Sequence, residues 1–384
     1  MPSCSPASRQ SCGEEAKAAE AQARSISGEA GSAAASFPAF LSEANGRPGR
    51  GRARWVPWAR LGRRLLLGGP PCAPRQCRSA MAFAAASSAA AVKKLAVKHV
   101  TVIGGGLMGA GIAQIAAATG HSVILVDQTD EILSKSKKGI EQSLKKLAKK
   151  KFADKPEEGA QFVEKVLKNV TTSTDPVAVV HSTDLVVEAI VENIAVKNEL
   201  FKTLDKFAPE HTIFTSNTSS LPITAMANAT TRQDRFGGLH FFNPVPLMKL
   251  VEVVKTPMTS QKTFESLMDF TKALGKSPVS CKDTPGFIVN RLLVPYLMEA
   301  VRLFERGDAS KEDIDVAMKL GAGYPMGPFE LLDYVGLDTS KYIIDGWHLL
   351  EPDNPLFAPS PLLDKLVEEK KLGKKAGEGF YKYQ

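Results

Sequence analysis

The chain has 384 residues, of which 49 are Lys or Arg and 41 are Asp or Glu, giving a formal net charge of +8. Hydrophobic residues make up 43% and charged residues 23%, a composition that excludes disordered and fibrous proteins. The positive excess lies in residues 1–95, with 14 basic and 5 acidic side chains, whereas residues 96–384 are close to neutral. This distribution argues against a nucleic-acid partner. Because no run approaches the ~20 apolar residues of a membrane helix, we also expect no stable membrane insertion.

Cysteine usage separates the same two regions. Four of the five cysteines precede residue 80, and Cys281 is the only one after it. A single cysteine cannot form an internal disulfide or supply a cysteine cluster for zinc, so we expect no metal site in residues 96–384.

Residues 1–95 are expected to form a disordered leader. Nine arginines lie between Arg47 and Arg78, and no acidic residue occurs between Ala44 and Val126. An Arg-rich, acid-poor segment of amphipathic character is typical of a mitochondrial transit peptide. A translated upstream extension, with the native start at Met81, explains the same composition, and both interpretations stay open.

A strand–turn–helix–strand pattern opens the remaining sequence. The β-branched run from Val97 to Ile103 predicts a buried strand, and a helical pattern then leads to a second strand at Ser122–Val126. The second strand ends at Asp127, which can accept hydrogen bonds from a ribose diol and would repel a 2′-phosphate. The arrangement predicts a dinucleotide site that prefers NAD to NADP. The turn between the first strand and the helix has the form G-x-G-x-x-G: Gly104, Gly105, Gly106, Leu107, Met108, Gly109.

Two more strands are predicted at Thr183–Ile190 and Thr212–Thr215. Glu192 and Ser219 follow them, at the sheet edge where ligands bind in open α/β folds. Spacing alone leaves other interpretations open, since Ser219 could cap a helix and Glu192 could be a solvated charge. The lysine-dense helix at 135–151 could likewise be merely solvated or could attract a polyanionic substrate.

His240 and Glu252 lie in two later strand-like runs, Phe236–Phe242 and Leu250–Val254. A histidine beside a carboxylate on a neighbouring strand suits general acid–base chemistry, because the carboxylate orients the imidazole and stabilises its protonated form. A core histidine bonded to a backbone carbonyl is the alternative.

Several motifs from residue 97 to the C-terminus resemble those of the L-3-hydroxyacyl-CoA dehydrogenases. They are His240-Phe241-Phe242-Asn243-Pro244, then Met248, Leu250 and Glu252, and the run from Asp283 to Arg291. The resemblance implies NAD-dependent oxidation of a 3-hydroxyacyl-CoA in fatty-acid β-oxidation, with His240 as the base and Glu252 as its partner. It further implies a catalytic contribution from Ser219 and Asn290. It assigns to the cofactor Gly104–Gly109, Asp127, Glu192, Lys197, Ser219, Asn243 and Lys375, and to coenzyme A Ser143, Lys150 and Ser219.

Strand patterns stop after Pro285, and long apolar helices follow, the first at Phe287–Arg306 with a kink or break at Pro295. We therefore predict an α/β protein with an N-terminal Rossmann-like dinucleotide-binding domain over 96–284 and an all-helical C-terminal domain over 285–384. The resemblance implies a homodimer through the helical domain and a place in the mitochondrial matrix. A small β-hydroxyacid dehydrogenase and a non-catalytic NAD-binding protein are the competing functions.

Overall fold

The computed structural model describes residues 94–383, so the predicted leader lies almost wholly outside the described residues. Lys94 and Leu95, which the sequence analysis assigned to the leader, already contact the folded chain. The Lys94 ammonium lies 2.7 Å from a carboxylate oxygen of Asp269, and the Leu95 N–H donates to the Ser266 hydroxyl over 2.9 Å.

One eight-stranded sheet organises the region up to residue 282, with the strand order β3-β2-β1-β4-β5-β6-β7-β8. All neighbouring strands pair parallel except β6 and β7, which are antiparallel. The strands are β1 (His99–Ile103), β2 (Ser122–Val126), β3 (Val170–Ser173), β4 (Leu185–Glu188), β5 (Ile213–Ser216), β6 (Phe236–Phe241), β7 (Leu250–Lys255) and β8 (Ser277–Lys282). Six of these strands coincide with predicted ones, whereas β3 and β8 were not predicted. Both are edge strands that lack a continuous apolar run: β3 exposes two of its four residues and β8 four of its six.

Helices connect the strands: α1 (Leu107–Ala118), α2 (Asp130–Lys151), α3 (Pro156–Lys168), α4 (Pro176–Val180), α5 (Ile194–Asp205), α6 (Ile223–Ala227) and α7 (Gln261–Ala273). The α1 helix is almost entirely buried, because its small residues allow close packing on β1 and β2. The α2 helix buries an apolar stripe that includes Leu133, Ile140 and Leu144, and leaves its lysines in solvent. This confirms the predicted basic amphipathic helix.

From residue 289 onward the described chain is helical: α8 (Val289–Glu305), α9 (Lys311–Gly321), α10 (Pro328–Val335), α11 (Leu337–Leu350) and α12 (Pro361–Glu368). Its buried side chains form a hydrophobic cluster of their own, around Phe329, Trp347 and Phe357. Pro295 lies inside α8 without ending it, so the predicted break does not occur. Two isolated β-bridges near residues 373–382 are small departures from an all-helical region. Between residues 94 and 383, no helix is both long and apolar enough to cross a bilayer.

Candidate active site

His240 and Glu252 form a buried, directly opposed pair on the antiparallel strands β6 and β7. The Nδ1 atom of His240 lies 2.7 Å from Oε2 of Glu252. The other carboxylate oxygen, Oε1, accepts the backbone N–H groups of Ile288 (3.0 Å) and Val289 (2.9 Å). Both oxygens of Glu252 are therefore bonded, one to the imidazole and one to the start of α8.

The far side of the imidazole faces Ser219, whose Oγ lies 3.1 Å from Nε2 of His240. Because a carboxylate only accepts hydrogen bonds, Glu252 requires a proton on Nδ1, which leaves Nε2 as the acceptor. The rings of Phe242 and Phe287 lie tilted beside the imidazole, with centroid distances of 4.5 and 5.4 Å. The pair thus presents one oriented basic nitrogen next to a hydroxyl. The alternative of a histidine bonded to a backbone carbonyl is wrong.

Asn290 lies one residue beyond the backbone groups that Glu252 binds. Its side chain is 1% exposed, and neither its amide oxygen nor its amide nitrogen has a hydrogen-bond partner within the described residues. Burying an amide without partners costs about 1–3 kcal/mol. Such an orphaned group beside the His240–Glu252 pair points to a polar ligand.

Lys197 is buried between two carboxylates, although the sequence analysis expected it to contact a cofactor. Its Nζ lies 2.7 Å from Oε1 of Glu188 and 3.0 Å from Oε2 of Glu192, and its side chain is 1% exposed. Burial works against the charged form, but the two carboxylates raise the pKa of Lys197 above its usual value. For Glu192, burial favours the neutral carboxyl, but the charge of Lys197 together with hydrogen bonds from Thr218, Lys197 and Ser219 lowers its pKa. Glu192 is therefore not a solvated loop charge.

Ser219 sits in the loop between β5 and α6. The cap of α6 is Pro222, so the alternative of Ser219 as a helix cap is wrong. Its backbone N–H donates to Oε1 of Glu192 over 3.1 Å, which joins the predicted residues Glu192, Lys197 and Ser219 in one set of contacts with His240.

The glycine-rich turn between β1 and α1 fits a dinucleotide. Gly104 has φ +109°, a conformation that disfavours any side chain, and a Cβ at Gly109 would lie 1.8 Å from the carbonyl oxygen of Gly104. A Cβ at Gly106 would meet no atom of the described residues within 4 Å, so the backbone there is open to a ligand. Leu107 is exposed and Met108 is buried, as expected for the first turn of a helix on a sheet.

Asp127 stands at the end of β2 beside this turn. Its Oδ2 accepts the N–H of Gly105 over 2.5 Å, and its Oδ1 accepts the N–H of Gln128 over 2.7 Å. The carboxylate is thereby held at the carboxyl edge of the sheet, where it can accept ribose hydroxyls. The turn and Asp127 together fit NAD.

Four predicted residues lie apart from these contacts. Lys375 pairs with Asp338 over 2.6 Å. Ser143 and Lys150 lie seven positions apart on α2, which places them on one face, and Lys150 is exposed. Asn243 is partly buried and precedes Pro244 through a cis peptide bond. No hydrogen bond within residues 94–383 connects any of the four to His240.

Glu188 and Asn217, which were not predicted as site residues, also belong to this set of contacts. Glu188 ends the buried strand β4, and Oδ1 of Asn217 accepts the N–H of Phe241 over 2.9 Å. A carboxylate between the apolar residues Leu185–Val187 and Ala189–Val191 was a usable signal of a buried, paired charge, because proteins rarely bury a carboxylate without a partner.

Comparison with known proteins agrees with this architecture. Residues 99–284 match the profile of the 3-hydroxyacyl-CoA dehydrogenase NAD binding domain, and residues 286–383 match that of the 3-hydroxyacyl-CoA dehydrogenase C-terminal domain. The chain is 80% identical over 292 residues to a human hydroxyacyl-coenzyme A dehydrogenase named as mitochondrial, covering 76% of this chain and 93% of that protein. The corresponding pig protein is 78% identical over 306 residues, covering 80% of this chain and 96% of that protein.

Among solved structures, the crystal structure of (S)-3-hydroxybutyryl-CoA dehydrogenase from Ralstonia eutropha superposes with a TM-score of 0.71 at 39% identity. The match covers 75% of this chain and all of that one. With two family profiles matched in order and relatives at 78–80% identity, the chain belongs to the 3-hydroxyacyl-CoA dehydrogenase family, as an NAD-dependent enzyme.

Proposed function

We propose that the enzyme oxidises (S)-3-hydroxyacyl-CoA to 3-ketoacyl-CoA in fatty-acid β-oxidation, with His240 as general base and Glu252 as its partner. The observation that carries this proposal is the imidazole bonded to Glu252 through Nδ1, which leaves Nε2 as the acceptor beside Ser219. The hydride that leaves C3 of the substrate would be taken up by bound NAD.

The chain's own residues handle the proton. Nε2 of His240 accepts the proton of the substrate hydroxyl, and the ring becomes an imidazolium in a buried site. Glu252 stabilises that charge over the 2.7 Å bond to Nδ1. General base catalysis of this kind contributes about 10²- to 10⁴-fold in rate.

Ser219 and Asn290 hold the reacting oxygens of the substrate. The Ser219 hydroxyl is within hydrogen-bond reach of the same nitrogen that takes the proton, and the Asn290 amide is buried with unused donors and an unused acceptor. Donors aimed at an oxygen that gains charge stabilise the transition state more than the bound alcohol.

The cofactor is held by the turn Gly104–Gly109, the carboxylate of Asp127, and Glu192, Ser219, Asn243 and Lys375. Lys197 contributes through Glu192, because its ammonium group is buried between two carboxylates. Coenzyme A lies along the basic helix α2, with Ser143 and Lys150 as contacts, since an exposed row of lysines attracts its phosphates.

The biological setting is part of the same proposal. Residues 96–284 act as the dinucleotide domain and residues 285–384 as the helical domain through which the enzyme dimerises. The enzyme works in the mitochondrial matrix, reached with the Arg-rich leader as a transit peptide or from a start at Met81. The names of the human and pig relatives support the mitochondrial location.

The direct test follows NADH absorbance with the purified full chain and acetoacetyl-CoA, beside acetoacetate and beside NADPH. We expect rapid NADH oxidation that requires the coenzyme A moiety and fails with NADPH. Equal rates with the free acid would indicate a small-hydroxyacid dehydrogenase. Tight NADH binding without turnover would indicate a non-catalytic binding protein.

A further inference from the structure

The loop that carries Ser219, residues 217–220, is linked by hydrogen bonds to one buried residue that has no part in the proposed reaction. That residue is Glu188, the last position of β4, whose side chain is fully buried. Two separate chains of hydrogen bonds lead from its carboxylate to the loop.

The first chain passes through Lys197. Oε1 of Glu188 accepts from the Lys197 ammonium over 2.7 Å, and the same ammonium lies 3.0 Å from Oε2 of Glu192. Oε1 of Glu192 then accepts the backbone N–H of Ser219 over 3.1 Å and the Ser220 hydroxyl over 3.1 Å. The Thr218 hydroxyl also donates to this oxygen.

The second chain passes through Ser216. The Ser216 hydroxyl donates to Oε2 of Glu188 over 2.6 Å and accepts the backbone N–H of Thr218 over 3.2 Å. The backbone adds one more link, since the Asn217 N–H donates to the Glu188 carbonyl over 2.8 Å. Both chains end on backbone N–H groups next to the Ser219 side chain, the first on that of Ser219 and the second on that of Thr218.

A carboxylate at this position is costly. Glu188 follows three buried apolar residues of β4, and burial raises the pKa of its carboxyl despite the ammonium of Lys197 beside it. A buried ion pair is often no more stabilising than apolar residues of the same volume. Stability alone therefore does not account for Glu188, whereas the precise support of a reacting hydroxyl does.

We propose that Glu188 is a positioning residue for the dehydrogenase reaction, holding the Ser219 hydroxyl toward Nε2 of His240 through Lys197–Glu192 and through Ser216. This inference rests on the proposed function, because it assigns Ser219 a part in the reaction.

A double-mutant cycle with Glu188→Gln and Ser219→Ala tests it. Glutamine has the same shape, but its single oxygen cannot replace a carboxylate that accepts from Lys197, Ser216 and the Ile190 N–H together. In the presence of Ser219 we expect Glu188→Gln to lower kcat about 10- to 100-fold, the size of effect that displacement of a reacting group produces. In the Ser219→Ala background the same change should alter kcat less than about twofold, because there is no hydroxyl left to position.

Turnover is measured per NADH-binding site in the full-length protein, with saturating NADH and acetoacetyl-CoA, so that partial unfolding does not enter kcat. Asp205→Asn is the matched control, since it breaks another buried ion pair, Arg232–Asp205 at 2.6 Å, near the amino ends of the strands. We expect that variant to lose stability and keep its kcat per site. Equal loss of kcat from Glu188→Gln in both backgrounds, or no loss in either, would overturn the inference. Failure of the unmodified protein to reduce acetoacetyl-CoA would instead overturn the proposed function.

Discussion

Substituting Glu252 with glutamine tests how the carboxylate sets the state of His240. The carboxylate accepts three hydrogen bonds, one from Nδ1 of His240 and two from the backbone N–H groups of Ile288 and Val289. A glutamine side chain has one oxygen and one NH₂ group, so it cannot serve all three donors.

The orientation of that glutamine follows from counting donors. If the NH₂ group faced Ile288 and Val289, their two buried N–H groups would meet a donor and have no acceptor. Each unsatisfied N–H would destabilise the protein by about 1–3 kcal/mol. The amide oxygen therefore stays with the backbone, and the NH₂ group faces Nδ1 of His240. The ring must then accept at Nδ1 and carry its proton on Nε2, where it cannot take a proton from substrate.

We expect Glu252→Gln to lower kcat about 10³- to 10⁴-fold, as for a catalytic histidine held in the wrong tautomer. At ~1.36 kcal/mol per tenfold, this corresponds to about 4–5.5 kcal/mol of transition-state stabilisation. NADH absorbance with acetoacetyl-CoA, normalised to NADH-binding sites, measures the loss. A kcat within tenfold of the unmodified enzyme would refute the tautomer argument.

Asp315→Asn provides the matched control for Glu252→Gln. Asp315 is a buried carboxylate that accepts two backbone N–H groups at the start of α10, from Phe329 (2.8 Å) and Glu330 (3.2 Å). It has no hydrogen bond to any histidine among residues 94–383. This variant should lower thermal stability while leaving kcat per NADH-binding site unchanged. A similar loss of kcat in both variants would mean that helix capping, not the imidazole, is responsible.

Three further predictions concern the cofactor turn and stability. Gly109→Ala should raise the NADH Kd at least about tenfold, because its Cβ would be forced against the Gly104 carbonyl. The control Gly139→Ala lies in an exposed part of α2 with no described atom within 4 Å of the new Cβ, so it should add about 0.5–1 kcal/mol of stability and bind NADH normally. Equal NADH Kd values in the two variants would contradict this prediction. Asp127→Ser should reduce the ratio of kcat/KM for NADH over NADPH at least about tenfold, and an unchanged ratio would remove Asp127 from cofactor selection. The third prediction concerns Asp205. Burial disfavours its charged carboxylate, but hydrogen bonds from a backbone N–H and from an arginine lower the pKa of Asp205 in the folded state. Its contribution to stability is therefore complete above the unfolded pKa of ~3.9 and is lost as the pH falls through the folded value. Urea unfolding should accordingly show Asp205→Asn to be destabilising at pH 7 and progressively less so below about pH 4, and a difference that grows in acid would be inconsistent with the lowered pKa.

The sequence predicted the family and the fold class because both depend on local patterns. A buried strand, a glycine turn and an acidic residue eighteen positions later describe a single βαβ unit, and the structure has that unit as expected. The edge strands β3 and β8 escaped notice because exposed strands carry no continuous apolar signal. The start of α8 at Val289 rather than Phe287 has a local cause, since Gly286 and Phe287 have φ values of +76° and +54°.

The contacts in the site depend on how strands and loops that are separated in the sequence meet in the fold, and the sequence predicted these contacts only partly. The His240–Glu252 bond needed the register of two antiparallel strands, which a spacing of twelve residues suggests without fixing. The burial of Lys197 was not predictable from its own position, because it depends on Glu188 nine residues earlier and Glu192 five residues earlier. The resemblance to a family supplied residues such as Lys375, which pairs with Asp338 and not with a residue at the sheet edge.

The mechanism requires Nε2 of His240 to take the substrate proton in oxidation and to return it in the reverse reaction. We would measure that reverse reaction, turnover of acetoacetyl-CoA and NADH by His240→Gln, with the NADH Kd determined on the same sample. We predict that kcat falls about 10²- to 10⁴-fold while the NADH Kd is unchanged, because glutamine has no basic nitrogen and His240 lies outside the glycine turn. Near-normal turnover by this variant would contradict the mechanism.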